Sequence, residues 1–117
     1  HAEGCSIGYK AFANCSALER MELASVPDIG QYAFANCSSL ERADLGDCLA
    51  SVGKSAFSGC TAICSISFPD VLETVGETAF HGLKFYAHDG TTALSPTPAN
   101  LSGKTFEGTS KALVQTA

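Results

Sequence analysis

The sequence predicts a solenoid: short parallel strands stacked rung on rung, with helical-turn returns and a small β-rich cap at the carboxyl end. Two observations predict it. The string "IGYKAFANCSALERMEL" (7–23) recurs almost unchanged as "IGQYAFANCSSLERADL" (29–45). The pair Ala-Phe also recurs as Ala11-Phe12, Ala33-Phe34, Ala56-Phe57 and Ala79-Phe80, at steps of 22, 23 and 23 residues. A fixed period of this length marks a repeat architecture, in which one unit cannot bury its apolar face alone.

Each unit carries the same sequence of jobs. An apolar-Gly pair opens it: Ile7-Gly8, Ile29-Gly30, Val52-Gly53 and Val75-Gly76. The segment of type "IGxxAFxx" is the expected return, a short helical turn whose Ala and Phe fill the space between rungs. Cys15, Cys37 and Cys60 follow each Phe by three residues, with Leu83 at the fourth place. Next come "LERMEL", "LERADL" and "ICSISF", read as strands because apolar and polar residues alternate at period two. Met21, Leu23, Ala43, Leu45, Ile66 and Phe68 are expected to face inward. Arg20, Glu22, Arg42, Asp44, Ser65 and Ser67 are expected to face out. Units thus start near 7, 29, 52 and 75, and residues 7–83 form the repeat region.

The regularity breaks after Phe80. In "HGLKFYAHDGTTAL", Asp89-Gly90 stands between two β-prone runs and signals a hairpin. "SPTPANLSG" reads as a very short helix, with Thr97 as its N-cap, Pro98 its first residue and Gly103 its stop. "KTFEG" and "KALVQ" are expected as final strands. Residues 84–117 are therefore read as a β-rich cap, since a solenoid must cover its last apolar rung. At the other end "HAEGCS" is too short to cover the rung at Ile7. Further repeats in a larger parent, a partner, or self-association at this open rung would cover it.

The motif "IGxxAFxxCxxLxxIxL" resembles the BspA-like, Treponema-type leucine-rich repeat, from about Ile7 to Leu83. "VPDIG" (26–30) and "FPDVLETVG" (68–76) resemble its proline-containing return; "LGDCLASVG" departs, with Gly46 where the pattern favours Pro. The resemblance implies a secreted or cell-surface protein that adheres to host or neighbouring macromolecules. No cofactor is expected.

The cysteines read as structure. Cys15, Cys37 and Cys60 share one repeat position and are expected as a ladder of buried thiols, beside the stacked Phe12, Phe34, Phe57 and Phe80. Cys48 aligns with Val71 and is expected in the core; Cys64 aligns with Glu19 and Glu41 and is the expected exposed thiol. A disulfide involving Cys5, Cys48 or Cys64 stays open. No paired C-x2-C or spaced His suggests a metal site. Asn14-Cys15-Ser16, Asn36-Cys37-Ser38 and Asn100-Leu101-Ser102 match glycosylation sequons. The first two are better explained by a left-handed turn position, because Gly59 and Gly82 replace Asn there in later units.

Function is narrowed mainly by exclusion. A net charge of -5 supplies no basic footprint for nucleic acid or for an anionic membrane. No run approaches the ~20 apolar residues of a membrane span. His81 and His88 lie near Asp89 without a nucleophile elbow, P-loop or dinucleotide fingerprint, so no catalytic residue is expected. What remains is the outward stripe: a column of Arg20, Arg42 and Ser65 beside a column of Glu22, Asp44 and Ser67. It can recognise an extracellular protein or glycan by complementary charge. It can equally be self-neutralising, at about 0–1 kcal/mol per exposed pair. The expectation is thus a non-enzymatic binding module, extracellular or on the cell surface. The alternative is a structural spacer or capping fragment of a larger surface solenoid.

Overall fold

The structure, a computed structural model, describes residues 7–23 and 26–116. Short strands dominate it: β1 (Arg20–Glu22), β2 (Asp28–Ile29), β3 (Arg42–Asp44), β4 (Ser51–Val52), β5 (Ser65–Ser67), β6 (Thr74–Val75), β7 (Phe85–Tyr86), β8 (Ala93–Leu94), β9 (Thr105–Thr109) and β10 (Ala112–Gln115). One helix, α1 (Pro98–Leu101), lies between β8 and β9.

The repeat sets the register. β1, β3 and β5 pair in parallel, so that Met21, Ala43 and Ile66 stand opposite one another. β2, β4 and β6 form a second, three-stranded parallel sheet, and Ile7 extends it by a bridge to Ile29. Inward residues of both sheets share one core, from Met21, Ala43 and Ile66 on one side to Ile29 and Val52 on the other. Between them run the rings of Phe12, Phe34, Phe57 and Phe80. Successive centroids are 5.1, 5.2 and 5.4 Å apart and every pair of planes is tilted by 4°. That spacing follows from neighbouring strands about 4.8 Å apart carrying the same residue in the same rotamer.

The return segments differ from the expected helical turns. Their N–H groups alternate between two kinds of partner. Ala11 and Ala13 donate within the turn, to the Gly8 and Lys10 carbonyls. Lys10, Phe12 and Asn14 instead donate to Gln31, Ala33 and Ala35 of the next rung, at 3.0, 2.7 and 2.8 Å. Tyr32, Phe34 and Asn36 repeat this toward Lys54, Ala56 and Ser58. The cause is a left-handed residue at two places per turn: Lys10, Tyr32, Ser55 and Thr78 (φ 55° to 58°), then Asn14, Asn36, Gly59 and Gly82 (φ 59° to 95°). Such residues swing every second donor out of the turn, so no helix propagates.

The carboxyl-terminal segment enters the strand sheet itself. The seven-stranded order is β1-β3-β5-β9-β10-β7-β8. The β9–β10 hairpin thus lies between β5 and β7, antiparallel to β5. β7 and β8 form the hairpin around Asp89-Gly90, with Phe85 opposite Leu94. Asp89 accepts hydrogen bonds from the Thr92 hydroxyl and from the Thr92 and Thr91 amides, which hold its carboxyl down at about 2. Helix α1 starts after Thr97 and is followed by the left-handed Gly103. Here the aromatic contacts change character. Phe68, Phe80, Phe85 and Phe106 meet edge to face, with Phe85 and Phe106 only 5.0 Å apart. With the buried Leu101 and Leu113 they close the apolar column that the stacked rings leave open.

Candidate binding face

The strands β1, β3 and β5 present every second side chain outward. Arg20, Glu22, Arg42 and Asp44 are exposed, whereas Ser65 and Ser67 are half-buried. The parallel register sets Arg20 directly opposite Arg42, and Glu22 directly opposite Asp44. Ser65 and Ser67 continue the two columns on β5. All six line a groove of about 320 Å³, with Met21 and Ala43 between them. Each column is one residue longer than the repeat implies. β9 sets Glu107 opposite Ser65 and Thr105 opposite Ser67, whose hydroxyls lie 3.1 Å apart. The strand expected at "KTFEG" is β9, but nothing in that string indicates its partner β5. Asp44 also serves its own turn, where its carboxylate accepts a hydrogen bond from the Gly46 amide.

The thiols behave differently from one another. Cys37 and Cys60 are fully buried and Cys15 is half-buried. Cys37 donates its S–H to the Phe12 carbonyl and Cys60 to the Phe34 carbonyl, at 3.1 and 3.0 Å. Each thiol therefore hydrogen-bonds the rung before it. Burial pushes the Cys37 thiol up and the Cys60 thiol to about 12. Cys64 is exposed. The expectation of a buried Cys48 is corrected: Cys48 is exposed, and Val71, its repeat equivalent, is 47% exposed. That return position skirts the edge of the core instead of entering it. Cys5 lies outside the described residues, as does the rest of "HAEGCS".

Two consequences are measurable. In the native protein an alkylating reagent is expected to modify the exposed Cys48 and Cys64 while Cys37 and Cys60 react only on unfolding; mass mapping of the adducts checks this. The raised Cys60 value also sets a sign. Between pH 9 and pH 12 the unfolded chain loses this proton while the folded chain keeps it, so unfolding is favoured as pH rises. Thermal melts at about pH 8 and pH 10 should show a lower midpoint at the higher pH, with the difference reduced in Cys60→Ala.

His88 Nδ1 lies 3.2 Å from the Gln115 carbonyl, tying the β7–β8 hairpin to β10. Among the described residues, no three His, Cys, Asp or Glu side chains gather where a metal ion could be held. Nor is any helix among them long and apolar enough to cross a membrane. At the first rung a hollow of about 110 Å³ opens among Ile7, Phe12, Leu18 and Met21, and Phe12 is 38% exposed there.

Residues 3–111 match the family model for the BspA type leucine-rich repeat region, in six copies. A leucine-rich repeat protein from Bacteroides ovatus, known from its crystal structure, is 34% identical, with a TM-score of 0.61. The similarity covers 71% of this chain, which spans only 22% of that one. No curated protein matches.

Proposed function

Taking as premise that the chain belongs to the BspA-type leucine-rich repeat family, we propose that it is a non-enzymatic binding module of a secreted or cell-surface protein. It recognises an extracellular protein, or a glycan, through the strand-face groove. Leucine-rich repeats are typical of protein-binding modules, and they are generally non-enzymatic. BspA-type members are often found at the surface or outside the cell.

The supporting observation is the pairing of like charges. Arg20 faces Arg42 and Glu22 faces Asp44 across adjacent strands. Like charges directly opposite are destabilising. Alternating the sign between rungs would pair opposite charges and stabilise the sheet. Over β1 and β3 the two parallel columns of opposite sign instead form a strip that a partner with complementary charge can read. The change from Arg to Ser65 is no independent argument for binding, because β9 half-covers that position and a folding reason suffices.

The test is a binding screen of the purified chain against immobilised extracellular-matrix proteins, mucins and glycans, beside an Arg20→Glu/Arg42→Glu variant. Reversing these rim charges is expected to slow association, most strongly at low salt, so the variant should bind at least about tenfold more weakly at low ionic strength. Binding retained in the variant would move the site off the strand face. No binding by the intact chain at high concentration and low salt would favour a spacer.

A further inference from the structure

The return face carries a second concavity that the repeat does not require. A groove of about 400 Å³ is lined by Tyr9, Lys10, Asn14, Tyr32 and Asn36 and floored by alanine. Tyr9 and Tyr32 meet edge to face, with centroids 6.2 Å apart at 87°, and Tyr9 is 64% exposed. The Lys10 ammonium lies 5.3 Å from the Tyr9 ring centre and 5.9 Å from that of Tyr32.

The later rungs show what the fold itself needs here. Lys10 and Tyr32 occupy the repeat position of Ser55 and Thr78, whose hydroxyls simply hydrogen-bond each other at 2.7 Å. Asn14 and Asn36 occupy the position of Gly59 and Gly82. The backbone at all these sites is left-handed, which glycine adopts freely and a bulky residue such as tyrosine resists. The first two rungs thus place large aromatic, amide and ammonium groups where small residues serve later rungs, and Tyr32 does so against its backbone preference.

We infer that this groove is a saccharide subsite, separate from the strand face, that takes a sugar unit bearing a carboxylate. Sugars offer C–H surfaces to aromatic rings and hydroxyls to amides. Tyr9 and Tyr32 supply the former, Asn14 and Asn36 both donors and acceptors for the latter. The sign of the ligand follows from the lining: its charged residue is Lys10, and none of the described lining residues is a carboxylate. The two rings hold the ammonium in place by cation–π attraction, so little freedom is lost when it meets an anion. A charge-assisted bond from Lys10 to the sugar carboxylate then separates acidic from neutral sugars.

The experiment is an NMR titration of the isotope-labelled full chain with 3′-sialyllactose, with a glucuronic-acid-ended disaccharide, and with lactose. Saturable shifts at Tyr9, Lys10, Asn14, Tyr32 and Asn36 with either acidic sugar, at least roughly tenfold tighter than lactose, are expected. Which acidic sugar binds tells sialic from uronic acid. Lys10→Ala should weaken that binding roughly tenfold and Lys10→Arg should restore it. Tyr9→Ala, at an exposed site, should weaken it with an unchanged melting temperature. Arg20→Glu/Arg42→Glu should leave it unchanged, which keeps this inference separable from the strand-face proposal. Equal affinity for lactose, unaltered binding by Lys10→Ala, or no shifts in the groove with either acid would overturn it.

Discussion

Replacing Phe34 by alanine is expected to lower the unfolding free energy by about 3–5 kcal/mol, the cost of truncating a fully buried aromatic residue. Phe34 is 1% exposed and stacks on Phe12 on one side and Phe57 on the other. Its removal leaves a gap in the middle of the column, and the two neighbours cannot close it. They are held a rung apart on either side by hydrogen bonds such as Phe34 N–H to the Ala56 carbonyl, at 2.8 Å. Phe12→Ala is the internal comparison. That ring is 38% exposed and stacks on Phe34 alone among the described residues, so its loss should be less than half as large. Urea unfolding of the two variants reads the difference. Equal losses, or no loss at Phe34, would contradict a shared ring column.

Gly53→Ala is expected to be comparably severe, near or above the ~3 kcal/mol upper end for overpacking, by an opposite route. A methyl group at Gly53 would stand 2.6 Å from the Gly30 carbonyl carbon and 2.7 Å from the Gln31 nitrogen. Both are backbone atoms of the adjacent rung, and neither can move alone. The rungs must part, which loosens the Gly53 N–H bond to the Ile29 carbonyl, now 2.7 Å, and the Tyr32 N–H bond to the Lys54 carbonyl. Gly30 and Gly76 meet the preceding rung in the same way. Gly8 is the control: a methyl group there meets nothing within 4 Å among the described residues. Gly8→Ala should change the urea midpoint little, within the roughly ±0.5 kcal/mol of ordinary surface changes. A mild Gly53→Ala would mean that the rungs are not in backbone contact at this column.

These two sites also mark what could be read from the sequence. The period and the alternation in "LERMEL" place strands, inward residues and the ring column directly, because each follows from one residue type recurring in register. The left-handed turn at Asn14 and Asn36 was legible through the glycines that replace it. Its companion at Lys10, Tyr32, Ser55 and Thr78 was not, because those side chains carry no left-handed preference. It goes together with the inter-rung hydrogen bonds and rules out the expected helical turn. Cys48 was misplaced because an apolar column in an alignment does not distinguish a core position from one at its edge. The pairing of β9 with β5 was out of reach for another reason. Glu107 and Thr105 join the candidate face through pairing with Ser65 and Ser67, far back along the chain, which no local pattern encodes.

The alternating turn donors give the stack a direction. Every N–H that leaves a return turn at Lys10, Phe12, Asn14, Tyr32, Phe34 and Asn36 points toward the carboxyl-terminal neighbour, and the matching carbonyls point back. Tyr9, Ala11 and Ala13 occupy in the first rung the acceptor places that Gln31, Ala33 and Ala35 fill in the second. Within the turns these bonds all run one way, whereas at the turn entry the Gly30, Gly53 and Gly76 amides donate back to Ile7, Ile29 and Val52. Two copies joined by a two-fold axis at the first rung would set acceptors against acceptors. Only head-to-tail addition, in which an incoming turn brings its donors to this row, continues the pattern. Such an interface is heterologous, so it propagates unless something ends it. The hairpin wedged between β5 and β7 interrupts the strand sheet at the opposite end. Among the described residues the stack is therefore polar: its turn amides run toward the end at which the β9–β10 hairpin enters the strand sheet.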